Sequence, residues 1–208
     1  MTVGECIMIK SIVFDMGGVL IDFNFDRTLN EVFDIKYHDI INEKVFRNPI
    51  WSRMDAGLER SDDVISRVVP ELPLEIQGVM KEMISDFYPY MPPIDGMADL
   101  ISRLKNAGYS VYLLSNASPR FFDRYMDYPA LVMLDGYFIS ALYKLLKPQP
   151  EIYDAFCNKF SVKAEECFFI DDMPQNIEGA KAYGMQGFVF KKDISSLECA
   201  LRDAGVKF

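Results

Sequence analysis

The chain has 208 residues, half of them hydrophobic, which is enough to bury a core in one or two compact units. Its 22 basic and 31 acidic residues give a net charge of −9, so electrostatic repulsion argues against nucleic acid and membrane as partners. A phosphorylated metabolite remains compatible with this charge, because one local cation can outweigh the overall field.

The N-terminus and the cysteines indicate a cytoplasmic protein. The apolar runs are too short to cross a bilayer, and MTVGECIMIK lacks the charged start and long apolar stretch of a signal peptide. Met8 opens a segment typical of a normal protein start, so we expect residues 1–7 to be a dispensable extension. The cysteines form no CxxC pair, which predicts reduced and mostly buried thiols at Cys6, Cys157, Cys167 and Cys199.

The first half of the chain combines one strand with a helical region. Residues 9–16 have the apolar pattern of a buried strand. Between 22 and 91, apolar residues recur at helical spacing among charges, and several prolines divide the region into short helices. The YPYMPP stretch at 88–93 is expected to be extended and marks the best domain boundary.

Beyond this boundary strands and helices alternate. The pattern predicts strands at 109–116, 166–172 and 186–190, and helices at 97–108, 150–160, 176–185 and from 194 onward. This alternation predicts an α/β fold, a three-layer Rossmann-like parallel sheet with helices on both faces. We therefore expect a catalytic core formed by residues 1–22 and 92–208, with an inserted all-helical domain at 23–91.

Polar residues follow three of the predicted strands directly. Asp15 follows SIVF, Ser115 and Asn116 follow VYLL, and Asp171 and Asp172 follow CFFI. A single such residue is more commonly a helix cap. Three polar strand ends, one of them a double Asp, instead favour a shared site, because ligands bind outside the carboxyl ends of parallel strands.

The residue types at these strand ends indicate metal-assisted group transfer. Three carboxylates in one pocket cannot all stay ionised without a cation, and an all-oxygen set suits Mg²⁺. Ser115 and Asn116 offer a hydroxyl, an amide and backbone donors to a phosphate. Lys147 is the fourth candidate, because Pro148 forces it into an extended conformation just before a helix. The nearby Lys144 is interpreted as a surface residue.

Four ordered segments, DMGGV, LLSN, LKPQPEIY and FFIDDMPQNIEGAKAYG, resemble the four motifs of the haloacid dehalogenase superfamily. The resemblance covers nearly the whole chain, and the helical insertion lies where that superfamily has a small cap domain. Within the superfamily the chain is similar to the sugar-phosphatase branch that includes glucose-1-phosphate phosphatase and the epoxide-hydrolase N-terminal domain. The WSRMDAGLERSDD segment at 51–63 is also similar to that branch.

The resemblance implies a role for each matching position. Asp15 would be the nucleophile that forms an aspartyl-phosphate. Mg²⁺ would be held by the carboxylates of Asp15 and Asp172 and the backbone carbonyl of Gly17, with Asp171 in direct or indirect support. Ser115 and Asn116 would bind the transferring phosphate, and Lys147 would neutralise Asp15 and the phosphate. Asn176 would steady the loop around the metal, although a helix-cap role is nearly as compatible.

Gly17 departs from the pattern, because most phosphatases of the superfamily have Asp at this position. That Asp protonates the leaving oxygen and later activates water, and losing such a group commonly costs roughly 10²–10⁴-fold in rate. Asp22 is the nearest carboxylate in the sequence that could substitute, but we interpret it as part of the hinge into the helical domain.

We therefore expect a magnesium-dependent phosphatase of small phosphorylated metabolites, with sugar phosphates as the favoured class. A 2-haloacid dehalogenase is a second hypothesis, and the Asp171–Asp172 pair argues against it. A catalytically weak ligand-binding or regulatory protein is a third, supported by Gly17. We interpret His38 as a surface or packing residue of the helical domain. The aromatics are interpreted mostly as core residues of that domain, although one or two could face the cleft; they are Tyr37, Phe46, Trp51 and those of 86–91. A homodimer could form through its Met- and Phe-rich helices.

Overall fold

The computed structural model describes residues 8–208. The predictions about residues 1–7 and Cys6 therefore fall outside the described residues. Cys157 and Cys167 are buried free thiols, as expected, whereas Cys199 is exposed. Within residues 8–208, none of the helices combines the length and the apolar character that a bilayer crossing requires.

The centre of the molecule is a five-stranded, fully parallel sheet in the order β3-β2-β1-β4-β5. The strands are β1 (Ser11–Phe14), β2 (Ser110–Ser115), β3 (Gly136–Ile139), β4 (Cys167–Asp171) and β5 (Gln186–Val189). The fold class predicted from the sequence is confirmed. Strand β3 was not predicted, because GYFI is only four residues long and begins with a glycine, a residue depleted in strands.

Both faces of the sheet are covered, which explains why β1 is apolar throughout. Ile12 and Phe14 belong to one hydrophobic cluster, whereas Val13 between them belongs to another. Successive side chains of a strand point to opposite faces, so the two clusters form the layers above and below the sheet. One layer contains α6 (Met97–Asn106) and α12 (Ile194–Asp203), and the other contains α10 (Pro150–Phe160) and α11 (Pro174–Tyr183).

A helical segment, defined here as residues 25–90, follows β1 and has a hydrophobic cluster of its own. Its α-helices are α1 (Phe25–Val32), α2 (His38–Ile41), α3 (Ile50–Asp55), α4 (Ser61–Val68) and α5 (Leu74–Ser85). Asp22 N–H donates to Pro92 O at 2.7 Å, so the chain leaves and rejoins the sheet domain at neighbouring points. The domain boundaries at 22/23 and 91/92 stay a prediction.

Short elements complete the chain. Single turns of 3-10 helix occupy Ile35–Tyr37, Val69–Glu71, Tyr88–Tyr90, Tyr125–Asp127 and Ala164–Glu166, and a π-helical turn occupies Asn42–Phe46. The remaining α-helices are α7 (Phe121–Arg124), α8 (Pro129–Val132) and α9 (Ser140–Tyr143). The turn at Tyr88–Tyr90 differs from the extended conformation expected for YPYMPP, because Pro89 lies in its first turn, where a missing N–H costs no hydrogen bond.

Candidate active site

The predicted polar strand ends meet at one edge of the sheet. Phe14 pairs with Leu113 of β2 on one side and with Ile170 of β4 on the other, which places Asp15 between the ends of those strands. The Asp15 N–H donates to Ile170 O at 2.8 Å. A cavity of about 640 Å³ lies above this edge, and its lining includes five predicted site residues, Asp15, Gly17, Ser115, Asn116 and Asp172.

Lys147 is buried beneath this cavity and connects two of the carboxylates. Its Nζ lies 2.8 Å from Asp15 Oδ1 and donates to Asp171 Oδ2 at 2.7 Å and to Leu114 O at 3.0 Å. Burial alone would lower the pKa of Lys147, but the two carboxylates outweigh burial and hold the pKa above its usual value. Lys147 therefore stays charged and places a cation next to Asp15. Lys144, in contrast, is exposed, as expected.

Asp15 combines burial with an unsatisfied oxygen. Burial raises the pKa of Asp15 to about 6, and Lys147 limits that rise. Among residues 8–208, Asp15 Oδ1 is the buried side-chain oxygen left without a hydrogen bond, because the contact with Lys147 is an ion pair with poor hydrogen-bond alignment. A buried acceptor without a donor is costly unless a ligand or an ion satisfies it.

The two neighbouring aspartates differ in what surrounds them. Asp171 is fully buried, and its two oxygens accept from Lys147, from the Met173 N–H at 2.8 Å and from Asn176 Nδ2 at 3.0 Å. Asp172 is half-buried, and burial raises its pKa, with Asp171 adding to the rise. Because Asp172 lines the cavity and Asp171 does not, Asp172 is the better placed of the two to reach a bound ion.

A glycine allows Asp172 to lie close to the loop after β1. Gly18 has φ of +72°, and a Cβ there would lie 2.4 Å from Asp172 Oδ2. Gly17 is different, because a Cβ at Gly17 would meet Phe23 Cβ at an ordinary 3.6 Å. The missing side chain at Gly17 is therefore not required by packing.

Three carboxylates at this edge fit a hard divalent cation. Oxygens of Asp15, Asp171 and Asp172 all lie within 4.8 Å of one another. Burial raises the pKa values of Asp15 and Asp172, and Asp15 Oδ1 lacks an aligned hydrogen bond, so a bound cation would favour the ionised form of both carboxylates. An all-oxygen set of this kind suits Mg²⁺ better than a softer metal.

Two asparagines hold the charged residues in place. Asn116 Oδ1 accepts from the Lys147 N–H at 2.9 Å, and Asn116 Nδ2 donates to Lys147 O at 3.1 Å. Asn176 donates to both oxygens of Asp171. The Asn116 side chain therefore fixes the Lys147 backbone, a role beyond the phosphate contact that was predicted for Asn116 from the sequence.

The opposite wall of the cavity belongs largely to the helical segment and is aromatic. Its rings pack against one another with centroids 4.0–6.4 Å apart. The rings are those of Phe23, Phe25, Phe46, Trp51 and Phe87. More aromatics face the cleft than the one or two allowed for above, because several short helices converge here and periodicity gives no relative orientation.

Asp55 is a second feature of this wall, and it was not among the residues predicted from the sequence. It is the last residue of α3, is half-buried and lines the same cavity as Asp15. Burial raises the pKa of Asp55 to about 7, and the negative charge of Asp15 adds to the rise while Lys147 opposes it. The signal was weak, since one aspartate in WSRMDAG follows no strand.

Two other residues considered above lie away from this chemistry. Asp22 pairs with Arg27 of the helical segment and with Lys192, and these cations hold the pKa of Asp22 below its usual value despite partial burial. His38 Nε2 lies 3.1 Å from Phe33 O, and His38 does not line the cavity.

Comparison with known proteins extends over most of the chain. A family model described as haloacid dehalogenase-like hydrolase matches residues 9–184. The chain is 29% identical over 187 residues to the sesquiterpene phosphatase astK of Aspergillus oryzae, and this match covers 88% of this chain and 90% of that protein. It is 28% identical over 193 residues to a D-ribitol-5-phosphate phosphatase of Bacteroides thetaiotaomicron, covering 87% of this chain and 91% of that protein.

Solved structures show the same fold. A HAD family enzyme from Bacteroides thetaiotaomicron, in complex with magnesium and inorganic phosphate, superposes with a TM-score of 0.73 at 23% identity. The match covers 91% of this chain and 98% of that one.

Proposed function

Because the chain belongs to the haloacid dehalogenase-like hydrolase family, we propose that it is a magnesium-dependent phosphatase with Asp15 as nucleophile. The observation that carries the proposal is the buried Asp15 oxygen at the cavity floor, which lies 2.8 Å from the charged Lys147 but lacks an aligned hydrogen bond. The similarity to two proteins named as phosphatases supports the reaction class. Membership of the sugar-phosphatase branch stays a prediction.

In the proposed reaction an Asp15 carboxylate oxygen attacks phosphorus, and the bond from phosphorus to the ester oxygen breaks. The products of this step are the free alcohol and an aspartyl-phosphate on Asp15. Water then attacks the aspartyl-phosphate, which releases inorganic phosphate and regenerates the carboxylate. Lys147 reduces the repulsion between Asp15 and the incoming phosphate, because its ammonium lies 2.8 Å from the Asp15 oxygen. Ser115 and the Asn116 backbone would hold the transferring phosphoryl group.

The residues proposed to hold Mg²⁺ are Asp15, Asp172 and the backbone carbonyl of Gly17. When bound, this ion neutralises phosphoryl oxygens and orients the phosphate. We assign Asp171 to positioning Lys147, because both Asp171 oxygens already accept hydrogen bonds.

We further infer that the substrate is a phosphate ester of an alcohol with an apolar body. The aromatic wall would bury such a body, and each aromatic side chain that becomes fully buried is worth roughly 1.5–3 kcal/mol. The sesquiterpene phosphatase relative supports this class, whereas the D-ribitol-5-phosphate phosphatase supports the sugar phosphate expected from the sequence. Hydroxyl groups of a sugar would lack partners where they face these rings, which favours the apolar alcohol on this wall.

The helical segment would act as a cap that covers the phosphate site. Arg120 donates to the backbone carbonyl of Ser85, and Arg124 pairs with Asp86, so two cations of the sheet domain contact the end of the helical segment. Closure of such a cap excludes water until the substrate is in place.

The test is release of inorganic phosphate by the purified protein with Mg²⁺ or with EDTA. Substrates would be matched pairs, such as farnesyl and n-decyl phosphates against ribitol 5-phosphate and glucose 1-phosphate. We expect magnesium-dependent release, higher kcat/KM for the apolar pair, and a loss of roughly 10³-fold or more in Asp15→Asn. The exposed Asp39→Asn is the matched control and should keep full activity.

Three results would contradict parts of this proposal. Chloride release from a 2-haloacid in EDTA would identify a dehalogenase instead. Tight ligand binding without turnover of any ester would indicate a binding or regulatory protein. Higher kcat/KM for the sugar phosphates would keep the phosphatase but overturn the apolar substrate.

A further inference from the structure

An alkoxide is a poor leaving group, so hydrolysis of an alkyl phosphate needs a proton donor at the ester oxygen. At the sheet edge the ionisable groups already have other roles. Lys147 and Asp171 are paired with each other, Asp15 is the proposed nucleophile, and Asp172 is a proposed metal ligand. Gly17 contributes no side chain. The proton donor must therefore come from elsewhere in the cavity.

The cavity lining contains three further carboxylates, and two of them are poor candidates. Asp86 is already engaged in an ion pair with Arg124. Asp123 is exposed on α7 in the sheet domain and does not lie on the wall of the helical segment. Asp55 remains, because it is half-buried at the cavity wall.

The backbone around Asp55 is anchored to the sheet domain. Ser140 Oγ, at the start of α9, accepts from the Ala117 N–H at 2.9 Å and donates to Asp55 O at 2.5 Å. Gly57 has φ of +67°, and a Cβ there would lie 2.3 Å from Ala141 O, so this turn packs directly on α9. Asp55 is thus part of the helical segment but is held by α9, which follows β3 and is itself hydrogen-bonded to Ala117 in the loop after the phosphate-site strand β2.

The wall on which Asp55 lies is the one that a leaving oxygen would face. In an in-line displacement the leaving oxygen lies on the side of phosphorus opposite the attacking Asp15 oxygen. A phosphate approached by Asp15 from the sheet edge therefore presents its leaving oxygen toward the helical segment.

We propose that Asp55 is the catalytic acid and base that acts in place of a side chain at position 17. This inference rests on the proposed phosphatase reaction. In the first step the Asp55 carboxyl group gives its proton to the ester oxygen as the bond to phosphorus breaks, and the alcohol leaves. In the second step the Asp55 carboxylate takes a proton from the water that attacks the aspartyl-phosphate, which restores the starting state.

The electrostatic surroundings agree with this role. The pKa of Asp55, about 7 through burial and the charge of Asp15, allows both protonation states near neutral pH. The other charged groups that line the cavity are Asp15, Asp86, Asp123, Asp172, Arg120 and Arg124.

The experiment compares Asp55→Asn with Asp62→Asn, an exposed carboxylate of the same segment outside the cavity lining. Each is assayed with decyl phosphate and with p-nitrophenyl phosphate, whose leaving group needs no proton. We expect Asp55→Asn to lose roughly 10²–10⁴-fold in kcat on decyl phosphate but less than about tenfold on release of p-nitrophenol in the first turnover. Asp62→Asn should match the wild-type protein on both.

Two further measurements separate chemistry from structure. Asp55→Asn should accumulate aspartyl-phosphate with p-nitrophenyl phosphate, because water activation is also lost. Gly17→Asp in the Asp55→Asn background should restore at least tenfold on decyl phosphate, since position 17 has room for a side chain.

Equal losses on both esters, without phosphoenzyme accumulation, would overturn the role of Asp55 and leave the phosphatase proposal intact. Unchanged kinetics on decyl phosphate in Asp55→Asn would do the same. Absence of phosphate release by the wild-type protein would instead refute the proposed function itself.

Discussion

The two walls of the cavity differ in chemical character: one consists of charged groups and the other is mainly aromatic. At the sheet edge, charged groups are buried and connected, with Lys147 in contact with both Asp15 and Asp171. On the wall of the helical segment, aromatic rings pack against one another, and the carboxylates are Asp55 and Asp86, which is paired with Arg124. The charged wall determines where the phosphoryl group reacts, and the aromatic wall determines which phosphate ester can bind. We therefore expect substitutions on the two walls to have effects of different kinds.

Lys147→Met gives the strongest test of the charged wall. The change leaves two buried carboxylates without their cation, and breaking a buried pair in this way costs about 3–5 kcal/mol. Urea denaturation in EDTA should show this loss in the free energy of unfolding, and turnover should fall by roughly 10³-fold or more. The matched control is Lys144→Met, because Lys144 is exposed only three positions away. Equal stability of the two variants would show that the charge of Lys147 does not stabilise the folded protein.

Sequence reasoning reached the charged wall because strand ends obey a simple geometric rule. Asp15, Ser115 and Asp172 each come at or directly after the end of a short apolar run, and parallel strands bring their ends to one edge. No such rule predicts from the sequence which residues form the apolar wall. Phe23 and Asp55 are 32 positions apart, and only the packing of several short helices places them on one cavity. Periodicity gives a buried face for each helix but not the relative orientation of neighbouring helices.

Phe23→Ala tests the apolar wall with little disturbance of the fold. Phe23 is 40% exposed and lines the cavity, so its loss removes contact area for a substrate more than for the core. For an apolar phosphate ester we expect KM to rise roughly tenfold with kcat little changed, which corresponds to about 1.4 kcal/mol of binding. For ribitol 5-phosphate KM should change less than twofold. Leu74→Ala, on an 81% exposed residue of the helical segment, is the control. A large fall in kcat with both esters would place Phe23 in the chemistry instead of in recognition.

The smallest expected effect is a pH-dependent change in the free energy of unfolding. It involves both walls, because the charge of Asp15 adds to the raised pKa of Asp55. The folded protein keeps a proton on Asp55 up to about pH 7, whereas in the unfolded chain the ordinary pKa is 3.8. Between these values unfolding releases a proton, so the contribution of Asp55 to the free energy of unfolding falls as the pH rises and stays low above pH 7. Asn carries no titrating proton, and Asp55→Asn should therefore be more stable than the wild-type protein, with a larger gain at pH 8 than at pH 5.

We expect a difference of about 1 kcal/mol between the two gains, because Asp55 is partly exposed and water screens its charge. Urea denaturation in EDTA at both pH values measures it, with the exposed Asp62→Asn expected to give the same small change at each. A gain that is equal at pH 5 and pH 8 would mean that Asp55 is already ionised in the folded protein at pH 5. In that case the helical wall would carry a permanent negative charge, and the contrast between a charged floor and an apolar, proton-donating wall would no longer describe this cavity.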